Sequence, residues 1–202
     1  MTVSLDSEAV KALAPAGYYI ALRVGFAFPM EEFNALPAPW VEHYTLQRFM
    51  LYDPVIQWIY ANTGAARWSE IDIADPLDIL NQAKAYGLHH GVAVCCFDNN
   101  PEGQRSFGTF ARSDREFEEK EIDILIRHVT RLHHDKAPPT NLTMAELEAL
   151  RMVKDGMRLK QMAHLLGVSE GAIKQRLKNA KLKLGASTSA QASTKASDYG
   201  LI

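Results

Sequence analysis

Residues Leu142 to Gly185 read LTMAELEALRMVKDGMRLKQMAHLLGVSEGAIKQRLKNAKLKLG, and this stretch decides the organisation of the 202-residue chain. Thr143 followed three residues later by Glu146 is a capping box that starts a helix. Leu147, Leu150 and Val153 give it an apolar stripe, and Gly156 ends it. Leu159, Met162, Ala163 and Leu166 stand at i, i+3, i+4 and i+7, the pattern of a second helix over Arg158–Leu166. Gly167-Val168 is a tight turn, and Ser169 caps a third helix that runs to about Leu184. Ile173, Leu177, Ala180 and Leu184 form its apolar face. Beside them Lys174, Lys178 and Lys181 repeat at i, i+4 and i+7, flanked by Arg176 and Lys183. A capped helix, a three-residue turn and a helix with one apolar and one basic face meet the requirements of a major-groove reader. Lysines and arginines on the outward face neutralise phosphates, and donors near the helix start reach base edges. The predicted contacts to double-stranded DNA are Ser169, Lys174, Arg176, Lys178 and Lys181.

Charge supports a division of the chain. Met1–Thr140 carries 12 basic against 19 acidic residues, and Asn141–Ile202 carries 10 against 5. The whole-chain net charge of −2 hides an acidic body joined to a basic end. Lys136–Asn141 (KAPPTN) has two prolines and no periodicity, and reads as the linker between residues 1–135 and 142–202. Ser187–Asp198 has the composition of a flexible tail. Yet Ala192, Ala196 and Tyr199 lie at i, i+4 and i+7 with Gly200 as a C-cap, so the residues leave tail and fourth helix both open.

Upstream, Ser7–Ala14 is a short helix capped by Ser7, and Gly17–Val24 (GYYIALRV) is a strand. Pro29–Pro39 is loop-like, and Trp40–Leu51 has helical spacing. Asp53-Pro54 starts a helix running to Asn62, with Asp as N-cap and Pro at the first position. Asp75-Pro76 repeats the signal before a helix closed by Gly87. Val92–Phe97 and Ser106–Ala111 are strands joined by the loop DNNPEG. Ser113-Asp114 caps a long amphipathic helix to about His134, with Phe117, Ile122, Ile124, Leu125, Val129 and Leu132 on its apolar side. The fold class that follows is α+β: an N-terminal α/β/α sandwich with an antiparallel sheet, then an all-α helix-turn-helix domain.

Other chemistries are poorly served. Cys95 and Cys96 are adjacent, so on a strand they face opposite sides and form no ordinary bridge; a redox role for either is a minor reading. His89-His90 near them lack the spacing of metal ligands. His128, His133 and His134 are read as surface residues at a helix end, where positive charge is favoured. Asp72, Asp75 and Asp78 are a solvated turn and cap. No nucleophile motif, phosphate loop or catalytic acid pair stands out, so no catalytic residue, metal or cofactor is assigned. No apolar run approaches the ~20 residues of a membrane span, and Met1–Val10 lacks a signal-peptide pattern. The expectation is a cytoplasmic protein with no membrane partner.

The quoted C-terminal stretch resembles the DNA-binding domain of the LuxR family. The matching positions are Leu142-Thr143, Glu146, Leu150, Gly156, Ala163, Leu166-Gly167, Ser169, Ile173-Lys174, Asn179-Ala180 and Lys183-Leu184. Gly200-Leu201-Ile202 matches the end of that family's fourth helix and favours a four-helix domain. Gly171-Ala172 and Arg176 depart from the usual residues of the recognition helix. Upstream, Trp40-x3-Tyr44, Asp53-Pro54-Val55 and Trp68 resemble the autoinducer-binding domain of quorum-sensing LuxR-type regulators, with matching spacings.

The resemblance implies an N-acyl-homoserine lactone site. Trp40 would donate to the lactone carbonyl, Tyr44 to the acyl carbonyl, Asp53 would accept the amide N–H and Trp68 would pack on the lactone ring. Thr109 is a further donor to an acyl carbonyl. Leu36, Ala93 and Cys95 stand where relatives often have Tyr, Thr or Ser, and Pro, which makes the expected pocket less polar. Such a ligand has one amide N–H, several carbonyls and a greasy tail, so one acceptor, a few donors and apolar walls suit it. Each residue also has a plain structural role: the aromatics as core, Asp53 as a cap. The expected protein is a homodimeric regulator on a palindromic operator, gated by the lactone. A ligand-independent member, whose N-terminal domain serves dimerisation or protein interaction, stands as the alternative.

Overall fold

The computed structural model describes residues 7–25, 28–98 and 103–202. The centre of the DNNPEG loop lies outside them. The chain divides into two compact units, Met1–Lys136 and Ala137–Ile202.

The first unit is built on a five-stranded sheet: β1 (Gly17–Val24), β2 (Glu31–Asn34), β3 (Gly64–Arg67), β4 (His90–Phe97) and β5 (Arg105–Arg112). The strand order is β2-β1-β5-β4-β3, and every neighbouring pair is antiparallel. Side chains alternate across a strand, so the two faces carry different residues. Tyr18, Ile20, Leu22, Val92, Val94 and Phe110 pack with Val10 of α1 (Ser7–Leu13) and with Ile122, Leu125 and Val129 of α5 (Glu119–Asp135). The opposite face presents Ala21, Ala93, Cys95 and Phe107 to Val55 and Ile59 of α3 (Pro54–Ala61). On the same side Ala111 meets Trp40 of α2 (Ala38–Leu46), Phe49, and Ile79 and Ala83 of α4 (Ile79–Lys84). The result is the expected α/β/α sandwich. Cys95 and Cys96 are free and belong to opposite faces, as alternation requires.

Several boundaries differ from those read in the sequence. Within Pro29–Pro39 lies the edge strand β2, paired to β1 alone. The Trp40–Leu51 helix stops at Leu46; Arg48 adopts a left-handed φ of 56° and a short 3-10 turn follows over Phe49–Leu51. Asp75 does cap α4, but from a turn away: its carboxylate accepts the Ile79 and Leu80 amides at 2.8 and 2.9 Å, and Asp78 sits at φ 54° between them. Helix α5 begins at Glu119, where Glu118 and Glu121 form the capping box. Asp114, expected as its cap, pairs with Arg112 at 2.7 and 2.9 Å instead.

Two of the three histidines of α5 are also corrected, while His134 is exposed as expected. His128 and His133 are buried, at 8% and 2% exposure. His133 Nδ1 lies 2.8 Å from Ser106 Oγ and Nε2 lies 2.9 Å from Asp98 Oδ1. Arg23, also 2% exposed, completes the cluster. Its backbone N–H donates to Ser106 Oγ at 2.8 Å, its Nε to the His133 carbonyl at 2.9 Å, and its guanidinium pairs with Asp98. Arg23 has φ 52° at an irregularity in the β1–β5 pairing. This Ser–His–Asp sequence of contacts is no catalytic relay, because Ser106 is wholly buried and its oxygen already accepts Arg23 N–H. One proton arrangement satisfies every partner: Ser106 O–H donates to Nδ1, and Nε2–H donates to Asp98.

The second unit holds α6 (Met144–Lys154), α7 (Leu159–Leu166), α8 (Glu170–Lys183) and α9 (Ser189–Asp198). Ala149, Leu150, Met162, Ala163, Ile173, Leu177, Ala180 and Leu184 form its core with Ala192 and Ala196 of α9. The Ser/Ala-rich segment is therefore a helix. Thr188 caps it by accepting the Gln191 amide at 3.0 Å, and the buried Ser193 donates its hydroxyl to the Leu150 carbonyl at 2.9 Å. Small side chains let α9 approach closely. Ser197 and Tyr199 precede Gly200, whose φ of +69° closes the helix. Among the described residues no helix is long and apolar enough to cross a membrane.

Candidate functional site

On the sheet face away from α5, Asp53 is the organising residue. Its Oδ1 accepts the Val55 amide at 2.8 Å and so caps α3; its Oδ2 accepts the Tyr44 hydroxyl at 2.7 Å. Asp53 is 8% exposed. Burial pushes its carboxyl above the usual carboxylate range, against the lowering effect of the Tyr44 and backbone hydrogen bonds. Burial beside that carboxylate also raises the Tyr44 phenol, which stays a donor. Two oxygens carry about four acceptor positions, so a further N–H can still be received.

Trp40 lies one helical turn before Tyr44, and their rings meet edge-on at 5.5 Å between centroids. Tyr86 stands 5.4 Å from Trp40, and Phe49 stands 5.8 Å from Tyr44. The α2 break at Arg48 is what turns Phe49 into this group. Trp68 opens a 3-10 turn at the end of β3 and packs against both apolar clusters of this face. Thr109 sits at mid-sheet, in register with Tyr19 on one side and Ala93 on the other. Trp40, Tyr44, Asp53, Trp68 and Thr109 thus share one face of the sheet.

Two of them hold unused donors. Trp68 Nε1 and Thr109 Oγ1 are buried without a hydrogen-bond partner, an arrangement that costs free energy unless a bound group answers it. The floor around Thr109 is small and apolar, with Ala21, Ala93 and Ala111 all buried, and Leu36 packs at its margin. Sequence reading missed Phe49, Tyr86 and Ile79 as walls. Phe49 was hidden by the assumption of an unbroken helix. Cys95 donates to the Asn62 carbonyl at 3.1 Å, and burial raises the thiols of Cys95 and Cys96, the latter to about 11. A redox-sensing thiolate needs the opposite shift. An open groove over α2, lined by Asn34, Leu36, Val41, Glu42 and Leu46, includes none of the five site residues.

In the second unit, α8 keeps the apolar and basic faces read in the sequence. Ser169 Oγ accepts the Ala172 amide at 3.2 Å. Lys174 and Lys178 are exposed and Lys181 is half-buried. Arg176 is half-buried and leans toward Glu148 of α6, at 3.8 Å. Lys183 is differently employed: its Nζ reaches both oxygens of buried Glu146 at 2.9 and 2.7 Å and the Asn141 carbonyl at 2.8 Å. Glu146 also accepts the Thr143 amide at 2.7 Å, so Lys183 completes the cap of α6. Gly171 faces open space; a Cβ there would meet only Ser169 Oγ, at 3.7 Å.

Known proteins match this arrangement. The profile of the "Autoinducer binding domain" family matches residues 23–134. The chain is 28% identical to Transcriptional activator protein VanR of Vibrio anguillarum over 173 residues, 79% of this chain and 72% of that protein. It is 26% identical to the HTH-type quorum-sensing regulator RhlR of Pseudomonas aeruginosa over 199 residues, 92% of this chain and 82% of that one. Its fold is similar to a crystal structure of Escherichia coli SdiA, with a TM-score of 0.52, 25% identity, and coverage of 98% and 92% of the two chains. The family profile spans more than half of the chain, and the protein belongs to the autoinducer-binding-domain family of LuxR-type quorum-sensing transcriptional regulators.

Proposed function

We propose that this protein is a cytoplasmic transcriptional regulator whose first unit binds an N-acyl-homoserine lactone and whose second unit binds DNA as a homodimer on a palindromic operator. The observation that carries the ligand reading is the Asp53 carboxylate, buried beside Trp40 and Tyr44 on the sheet face that also holds the unpaired donors of Trp68 and Thr109. Asp53 takes the amide N–H of the ligand, Thr109 the acyl carbonyl and Trp40 the lactone carbonyl, while Tyr44, which gives its one hydroxyl proton to Asp53, holds that carboxylate in place. The apolar floor of Ala21, Ala93, Cys95 and Phe107 receives the acyl chain. No polar side chain of that floor answers an oxygen on the chain, so an unsubstituted acyl group is the better fit. The test is the melting temperature of the full chain with a panel of acyl-homoserine lactones. A rise that saturates with concentration supports the reading; no rise with any of them rejects the lactone as ligand.

On DNA, α8 lies in the major groove, and two copies occupy half-sites about one helical turn apart. Lys174 and Lys178 are exposed phosphate contacts, Ser169 caps the helix start, Arg176 stands at mid-helix, and Lys181 is set beside the apolar face. Lys178→Ala is expected to weaken binding to all sequences and to lower the salt slope of log K by ~1. Lys183→Ala leaves that slope unchanged and destabilises the second unit by about 1.5–3 kcal/mol, because Glu146 loses its charged partner. A salt titration and a denaturation curve on each variant separate the two roles; a reduced slope in Lys183→Ala contradicts the assignment.

A further inference from the structure

Trp68 is held with unusual constraint. It directly follows the Arg67–Val92 pair of β3 and β4, so the next residue of β4, Gly91, lies beneath it. A Cβ placed on Gly91 would fall 2.1 Å from two ring atoms of the Trp68 indole and 2.5 Å from a third. Gly91 has no left-handed φ that would call for glycine. The steric reason for glycine here is the ring, which lies directly on the strand backbone. The other end is tied as firmly. Arg67 donates from Nε to the Phe117 carbonyl at 2.9 Å, and its guanidinium pairs with Glu70 at 2.8 Å and Glu119 at 2.6 Å. Its backbone N–H donates to Glu70 at 3.1 Å.

A ring so seated cannot swing its N–H out to water, and no protein acceptor meets it. A face-packing role alone needs no nitrogen: phenylalanine would fill an apolar wall without leaving a buried donor unanswered. Thr109, the other unpaired donor of this face, is two residues along β5 from Ala111, the partner of Gly91, or roughly 6.5 Å. Both unpaired donors therefore belong to one face of the sheet, near one another in its register.

We propose that Trp68 donates a hydrogen bond to the ligand's head group, seated for it by Gly91, so that the site selects ligands carrying an acceptor beyond the acyl amide. This rests on the ligand site proposed above and adds a specificity element to it. The acceptor belongs to the ring of the head group, since Trp68 packs in the same cluster as Trp40 and Tyr44. Gly91 is a positioning residue that acts through the indole.

The experiment uses the full chain and two probes, N-octanoyl-L-homoserine lactone and N-octanoyl cyclopentylamide, which keeps the amide, chain and five-membered ring but lacks the ring acceptors. Apparent affinities come from the concentration dependence of the melting temperature. Trp68→Phe is expected to lose about tenfold for the lactone and less than about twofold for the cyclopentylamide. Gly91→Ala, which keeps the indole but lifts it from the strand, is expected to reduce the same lactone preference. If either variant keeps the wild-type ratio between the two probes, the proposal is overturned and Trp68 is a packing residue only. If wild type responds to neither probe, the ligand reading falls along with it.

Discussion

Asp53→Asn leaves α3 capped and removes most of the ligand response. Asparagine is as good an N-cap as aspartate, so the Val55 contact survives and the ligand-free melting temperature stays within a few degrees of wild type. The lost element is the negative charge that receives both the Tyr44 hydroxyl and the ligand amide. Hydrogen bonds to a charged group contribute about 1.5–3 kcal/mol, so lactone affinity should fall by roughly 10- to 150-fold. Asp53→Ala differs in kind. It removes the cap as well, at about 1 kcal/mol, and leaves the buried Tyr44 hydroxyl without its acceptor. Thermal melts with and without lactone separate the two: Asn loses the shift and Ala also loses the baseline. An unaltered shift in Asp53→Asn would mean that Asp53 serves only as a cap.

The largest loss of stability is expected at Arg23. Its guanidinium is buried against Asp98, its Nε holds the last turn of α5 through the His133 carbonyl, and its amide holds Ser106. Breaking a buried ion pair by removing one partner costs about 3–5 kcal/mol; here the part-buried Asp98 loses its cation and keeps only the His133 Nε2–H and the Gln104 amide, and the His133 carbonyl loses its donor. Arg23→Ala should therefore lower the melting temperature of the first unit by roughly 10–20 °C and should loosen α5 at its C-terminal end first. Amide hydrogen exchange over Arg131–Asp135 reports the second effect. A loss below about 1 kcal/mol would show that the pair only breaks even with its desolvation.

The same cluster gives the first unit a pH dependence. Burial pushes the His133 imidazole below its ordinary value, and the neighbouring Arg23 and His134 act in the same sense against Asp98. Burial and Arg131 do likewise to His128. The unfolded chain then binds protons on these histidines at a higher pH than the folded one. Stability is full above the unfolded value of about 6.5 and declines as pH falls below it, until the folded histidines also protonate. His133→Gln should flatten the stability curve below about pH 6.5 relative to wild type. An unchanged slope there would contradict a neutral, buried His133.

Much of this was legible in the sequence where local chemistry and burial agree. Gly17–Val24 forms a strand to the residue, Asp53 caps α3, and the basic stripe of α8 stands beside Ile173, Leu177 and Ala180. The readings failed where tertiary contacts decide. Strand β2 (EEFN) is mostly exposed, with neither an apolar run nor alternation, and exists because β1 offers it a partner. Asp75 has the right capping chemistry in the wrong register, since Pro76–Asp78 form a turn before the helix begins. The Ser113-Asp114 signal is real as chemistry, but Arg112 takes the Asp114 carboxylate. His133 was read from helix-end charge, although it continues the buried series Ile122, Leu125, Val129 at i, i+3, i+7 and i+11, a signal that was present. At the ligand face, the joint spacing of Trp40, Tyr44, Asp53 and Trp68 was visible. Gly91 was not, because a glycine's purpose shows only when the ring above it is placed.

The direct test of a ligand-gated DNA reader is DNA binding itself. The full chain is used to select duplexes from a random pool in the presence of the acyl-homoserine lactone that raises its melting temperature most. Its affinity for the selected operator is then measured with and without that lactone at one salt concentration. Ligand gating predicts an inverted-repeat operator bound at least about tenfold more tightly with the lactone present, with Asp53→Asn indifferent to it. Equal affinity in both conditions, unaffected by Asp53→Asn, would contradict gating and identify a ligand-independent member of the family.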